Sequence, residues 1–319
     1  MSLVTPHGDG ETVSQVHSAW QRLAAQRRLY SIIGFGAVAI ALTWSFWFAD
    51  QSNAGHFADR WPHLLDFLSW LMPQDWNDVW RALFDIASPN DNGTQEFNFP
   101  LGRVAAWGDV YLPEYFYLML TTINVALVST IIGFIGGISL CFLAARNMMP
   151  SRGVRFVVRR FMETLRAFPE IVIAGLFAAV LSLGPVAAIV AVGLHTIGAL
   201  GKLYFEVVEN IDMGPDEGLR ATGGNWFERV RFAALPQVLP NFSSYAMLRL
   251  EINVRASTII GAVGGGGIGE ELKLAISRGF GAKTLALIAL LLITVIAVDQ
   301  LSAFIRRKLV GDQAFLLHG

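Results

Sequence analysis

The stretch EGLRATGGNWFERVRFAALP, Glu217–Pro236, is a polar island between long apolar runs. Glu217 is followed six residues later by Gly223, and Leu235-Pro236 comes twelve residues beyond that. Where the flanking segments are apolar enough for lipid, such an island has to lie outside the hydrocarbon. There it offers a charged helix-turn-helix to another protein. Glu217 stands at the start of a short helix, where a carboxylate is favoured by the helix dipole. Gly223-Gly224 breaks that helix with a reversal that side chains would obstruct. Trp226 to Phe232 forms a second helix, and Pro236 ends the unit.

Composition sets the class around it. Of 319 residues, 54% are hydrophobic and 15% charged, against roughly 25% charged in an average soluble chain. That deficit points to lipid-facing surface. With a net charge of −1 and no basic face interleaved with aromatics, the chain is a poor nucleic-acid binder. Its one cysteine, Cys141, lies in an apolar run and reads as a small buried hydrophobe. Residues 1–29 carry Asp9, Glu11, Arg22, Arg27 and Arg28 without a short apolar core and cleavage site. They read as a cytoplasmic tail and not as a signal peptide.

A membrane-crossing helix needs about 20 apolar residues. Residues 30–49 supply the first. Tyr115 to Ala145 is uncharged and too long for one upright helix, so it tilts or extends into an interface. The last span runs from Thr284 to Ile305 across Asp299 and stops at Arg306, Arg307 and Lys308. The run Ile171 to Gly201 would be roughly 46 Å long as one helix at about 1.5 Å per residue. Gly184-Pro185 near its middle is a turn signal. Two spans are expected there, Met162–Leu183 and Pro185–Val207, with a fifth at Val238–Val263. Arg146, Arg152, Arg155, Arg159 and Arg160 then fall on the same side as Arg220, Arg229 and Arg231, as the positive-inside rule requires. The expectation is an all-α polytopic membrane protein with six transmembrane helices and both termini cytoplasmic.

Residues 50–114 then fall outside. Leu64, Leu65, Leu68, Leu71 and Met72 recur at helical spacing, as do Trp76, Val79, Trp80, Leu83 and Phe84. Such helices suit the membrane interface or a small packed subdomain. Ser88 to Pro113 reads as a long external loop. The core is expected over 115–308, with residues 209–236 as a cytoplasmic loop and 309–319 as a C-terminal tail.

The spacing of Glu217, Gly223 and Leu235-Pro236 resembles the coupling loop of ABC-importer permeases. Gly218 and Leu219 stand where that pattern has two alanines, and Ala233 where it usually has isoleucine. The segments Arg166–Pro185, His195–Leu203 and Leu248–Leu272 are similar to those of phosphonate-type permeases, and the likeness runs roughly from Thr121 to Lys308. The resemblance implies a type I, methionine-permease-like fold in the bacterial inner membrane. It also implies import of phosphonate, phosphite or another phosphate-like oxyanion. Two copies of the chain would form the pathway, two ATP-binding cassette subunits would dock on Glu217, Gly218, Leu219, Gly223, Leu235 and Pro236, and an external binding protein would deliver the cargo. ATP and Mg would belong to the partner ATPase, with no cofactor held by this chain.

Charges inside the spans are the candidate path. Arg249, Glu251 and Arg255 fall within the fifth span, where charge is costly and faces a partner or a water-filled route. Glu251 and Arg255 are four apart and can pair along one helix face. Arg249 and Arg255 cannot both point straight at one pore. Either one arginine offers a transient oxyanion site, with Glu251 preventing tight trapping, or the three form a structural network. Glu170, directly after Pro169, joins this set as a hinge, gate or capping residue, alongside Glu163 and Arg166. His195 reads as a hydrogen-bonded core residue.

The run Gly264, Gly265, Gly266, Gly267, Ile268, Gly269 matches G-x-G-x-x-G, but that fingerprint needs a preceding strand and a βαβ unit. It reads instead as a flexible outer connection and candidate gate, with Glu270–Ser277 returning as a short helix. No metal set, nucleotide motif or nucleophile–base pair is evident, so the chain is not read as an enzyme. Two rivals remain open: an ABC permease for another small solute, and a proton-coupled secondary transporter using Glu170, His195 or Glu251. Such transporters often show internal repeats, and none is visible here.

Overall fold

The structure is a computed structural model that describes residues 9–49, 57–73, 75–84, 105–107, 110–181, 184–279 and 281–314. The chain divides into two compact units, Met1–Ser69 and Trp70–Gly319.

The first unit is built from α1 (Asp9–Ala49) and most of α2 (Phe57–Leu71). Helix α1 is unbroken, so residues 9–29, expected as a tail, are continuous with the first span. Its stretch Ala19–Phe48 is apolar and unburied, with Phe35, Ile40, Trp44 and Phe46 all exposed. A helix that is apolar all round and uncovered suits lipid or a partner helix.

The second unit begins with α3 (Trp76–Leu83), capped by Asp75, whose side chain accepts from the Asn77 N–H at 2.9 Å. Val79, Ala82 and Leu83 pack against Tyr115, Met119 and Leu287, while Trp76 and Trp80 stay exposed. The loop expected from Ser88 lies outside the described residues as far as 104. The chain then forms a two-stranded antiparallel pair, β1 (Ala105–Trp107) and β2 (Val110–Tyr111), a small departure from an all-α chain.

Helix α4 (Glu114–Ala144) is the long uncharged run, and its chief neighbour is α7 (Pro185–Glu209). Glycines set that contact. A Cβ on Gly133 would stand 2.2 Å from the Thr196 Cγ2, and one on Gly137 would be 3.1 Å from the Gly201 backbone nitrogen. Small residues let membrane helices approach closely. At one end Tyr204 stacks on Phe242 with ring centres 4.0 Å apart, and its hydroxyl donates to the Phe242 carbonyl at 2.9 Å.

The expected third span, Met162–Leu183, is not one helix. Amphipathic α5 (Arg152–Ala167), capped by Ser151, ends at Phe168-Pro169, and α6 (Glu170–Leu181) starts afresh. Proline removes a donor and drives the preceding residue out of helical geometry, and Phe168 sits at φ −85°, ψ 133°. The 12 residues of α6 span only about 18 Å. Among the described residues, Ala19–Phe48, Glu114–Ala144, Pro185–Glu209 and Ala282–Leu309 are long and apolar enough to cross a membrane.

The remaining helices are α8 (Gly214–Ala221), α9 (Trp226–Glu228), α10 (Leu235–Ile260), α11 (Ile268–Arg278) and α12 (Ala282–Ala314). Short π-helical segments join α9 to α10 at Arg229–Ala234 and follow α10 at Gly261–Gly265.

Candidate functional site

The polar island folds into a braced hairpin. Helix α8 begins at Gly214, three residues before Glu217, with Pro215 in its first turn, where a missing N–H does no harm. It ends in a Schellman motif: Gly223 N–H donates to Arg220 O at 3.0 Å and Gly224 N–H to Leu219 O at 2.8 Å. Gly223 has φ +83°, a conformation that only glycine adopts freely. Asn225 and Glu228 then cap each other's backbone N–H groups at 3.0 and 2.7 Å, a capping box.

Pro236 does not end this unit. The chain widens into π geometry over Arg229–Ala234 and runs directly into α10, with the Leu235 N–H reaching back to Val230 O. A proline cannot donate and its ring presses on the carbonyl four residues back, and an inserted π turn relieves that clash. The hairpin's second half and α10 are therefore one continuous rod.

A buried carboxylate clamps the two halves together. Asp216 is fully buried, and the Arg229 fork donates to both its oxygens at 2.7 and 3.0 Å. Arg220 adds a contact at 2.8 Å. Arg220 and the Trp226 indole also donate to the carbonyls of Asn147 and Met148, each at 3.2 Å. Those two residues lie in the α4–α5 connection, and Arg159 ties its start, the Ala144 carbonyl, to Glu209 on α7. Glu217 and Gly218 are exposed, Leu219 and Leu235 half-buried and Pro236 exposed. Phe227 and Phe232 also face outward, so the hairpin presents an apolar and charged surface on a stiff frame.

On α10 the expected Glu251–Arg255 pair does not form. Glu251 lies 2.8 Å from Arg306, and Arg255 lies 2.6 Å from Asp299, both on α12. Longer-range partners on a packed neighbour outcompete the intrahelical one, and each neutralises a charge inside α12. Arg249 is half-buried and makes no ion pair or hydrogen bond among the described residues. Glu170 lies 3.5 Å from the His195 Nδ1, which is also 3.3 Å from the Phe168 carbonyl oxygen. Helices α6, α7 and α10 pack on one another around these residues.

The glycine run is a packed turn. Gly264, Gly266 and Gly267 have φ of 106°, 72° and 75°. A Cβ on Gly269 would meet the Thr258 carbonyl oxygen at 1.9 Å, and one on Gly261 the Gly266 carbonyl oxygen at 2.5 Å. The Gly184 N–H donates to Gly264 O at 2.8 Å, and the Ile268 N–H to Thr122 Oγ1 at 3.1 Å. Gly265 is buried, and α11 returns from Ile268, two residues earlier than expected. Any gate here would swing as a body and not as a slack linker.

Sequence reasoning missed Asp216, one residue before the glutamate it singled out. It also missed Asn253, which donates to Thr130 Oγ1 at 2.9 Å and to Thr196 Oγ1 at 3.2 Å in the interior shared by α4, α7 and α10. The signal for the second was available: an amide within an apolar span is itself informative. Among the described residues, no cluster of three or more His, Cys, Asp or Glu could hold a metal.

Comparison with known proteins fits this arrangement. Residues 137–311 match the family described as "Binding-protein-dependent transport system inner membrane component". The chain is 35% identical over 192 residues to the phosphate-import permease protein PhnE of Mycolicibacterium smegmatis, covering 60% of this chain and 36% of that one. It is 34% identical over 189 residues to the phosphite transport system permease protein PtxC of Stutzerimonas stutzeri, covering 59% and 69%. The chain thus spans about a third of the first relative's length. A chain of the inward-facing MetNI methionine ABC transporter superposes with a TM-score of 0.54 at 23% identity, covering 61% of this chain and 95% of that one. That likeness concerns the fold. With more than half of its length matched, and a charged hairpin set between the long helices α7 and α10, the chain belongs to the binding-protein-dependent transport system inner membrane component family.

Proposed function

We propose that this protein is the permease subunit of an ATP-driven importer for a phosphorus oxyanion: a phosphonate, phosphite or phosphate itself. The observation that carries the reading is the clamped Glu217–Pro236 hairpin, lying inside residues 137–311 that match the transport-component family, in a chain whose relatives include permeases named for phosphate and phosphite. Six crossing segments are assigned to α1, α4, the broken α5–α6 pair, α7, α10 and α12, with both termini cytoplasmic. Two copies form the pathway, and each hairpin docks on one ATP-binding cassette subunit, which holds ATP and Mg. An external binding protein delivers the anion, and the glycine turn at 264–269 serves as the outer gate.

The hairpin suits this task mechanically. A push on its exposed face reaches α10 through an unbroken helix, while Asp216 keeps α8 moving with it. The test is co-purification with the candidate ATPase, followed by hydrolysis and uptake of labelled phosphite in proteoliposomes. A stable complex whose hydrolysis rises with loaded binding protein supports the reading. Uptake that follows a proton gradient and ignores ATP would establish the secondary transporter instead.

A further inference from the structure

Three ionisable side chains lie on α10, and the structure divides them. Glu251 and Arg255 are both engaged by α12, at 2.8 and 2.6 Å. Arg249 is two residues before Glu251, about 160° away around a helix of 3.6 residues per turn. It is half-buried and without an ion pair or hydrogen bond among the described residues. A guanidinium cannot shed its proton in a protein, and an ionised group within a membrane span needs a partner or a watery route.

Where α6 packs on α7 and α10 there is a second incomplete arrangement. Pro169 breaks the chain, so α6 begins with Glu170 alongside α7 and α10. Glu170 is engaged with His195 and forms no ion pair with Arg249. Among the described residues, this meeting of helices combines one unpaired fork of N–H donors with a carboxylate on a packed neighbour. A tetrahedral oxyanion fits the fork, since guanidinium binds such groups through paired N–H···O bonds. The carboxylate opposes it and keeps the stay short. A site on a transport route must be favourable enough to enter and weak enough to leave.

Resting on the importer reading above, we infer that Arg249 is the oxyanion contact of the translocation route, with Glu170 as its counterweight and His195 holding Glu170 in place. This assigns to Glu170 the moderating role expected of Glu251, which is spent on Arg306. It also separates Arg249 from Arg255, whose charge serves α12.

The experiment uses the whole complex, permease with ATPase and binding protein, in proteoliposomes offered labelled inorganic phosphate, phosphite or methylphosphonate. Arg249→Gln is expected to cut ATP-driven uptake about ten-fold or more, the size of one charged hydrogen bond, while hydrolysis stimulated by loaded binding protein stays within about two-fold. Arg249→Lys keeps a charge without the fork and should fall between the two. Unchanged uptake in Arg249→Gln would overturn the assignment. So would joint loss of assembly and hydrolysis in Arg249→Gln with full recovery of both and of uptake in Arg249→Lys, because that marks a structural charge contact, such as one to the second copy. A wild-type complex that hydrolyses ATP yet moves none of the three anions refutes the oxyanion reading itself, and this inference with it.

Discussion

The hairpin at Glu217–Pro236 and the Arg249 cluster are both built from charged residues, and they handle charge in opposite ways. In the hairpin, Asp216 is buried and gripped by Arg229 and Arg220. In the cluster, Arg249 has no ion pair or hydrogen bond among the described residues, while Glu170 pairs with His195 on the helices that α10 packs against. A closed set of charges makes a rigid lever, because separating any pair would strand a buried ion. An open set leaves coordination for something that comes and goes. On the proposed importer reading, force transmission falls to the first region and cargo contact to the second.

The largest effect should come from opening the closed set. Asp216→Ala leaves Arg229 without its acid, and removing one member of a buried pair costs about 3–5 kcal/mol. The measurement is thermal stability together with ATPase association, and both should fall. Retained association would mean that the clamp is not what shapes the docking surface. Gly223→Ala comes next. Its Cβ would meet nothing within 4 Å, so the penalty is purely conformational, roughly 1–2 kcal/mol for a left-handed residue. Coupled hydrolysis should weaken while the membrane core stays folded.

Asn253→Leu removes the amide shared with Thr130 and Thr196 and should cost about 1 kcal/mol, the usual scale for polar contacts between membrane helices. Thermal unfolding in detergent measures this, and an unchanged midpoint would show the amide to be incidental. The smallest change points the other way. Gly218 is exposed in α8 with open space for a Cβ, so Gly218→Ala should stabilise by roughly 0.5–1 kcal/mol. A loss there would indicate that a partner needs the bare backbone.

Much of the frame was legible in the sequence. A long uncharged run marked α4, an apolar run interrupted by Asp299 marked α12, and Gly184-Pro185 marked the start of α7. The glycine reversal at 223 followed from chemistry that admits few alternatives. What stayed hidden depended on which residues meet across helices. Nothing in the spacing of Glu251 and Arg255 could show that Arg306 and Asp299 would take them. The α5–α6 break was harder to read for another reason: Pro169 was visible, but prolines kink some helices and end others, and packing decides which. Likewise Pro236 looked like a stop, and a π turn let the helix continue through it.

The most direct test of the account is ATP-driven uptake of labelled phosphite by the reconstituted complex, compared between wild type and the Arg249→Gln and Asp216→Ala proteins. The account predicts uptake by the wild type, hydrolysis without uptake for Arg249→Gln, and loss of receptor-stimulated hydrolysis for Asp216→Ala. Wild-type-like uptake by both variants would contradict the division of labour between the two regions.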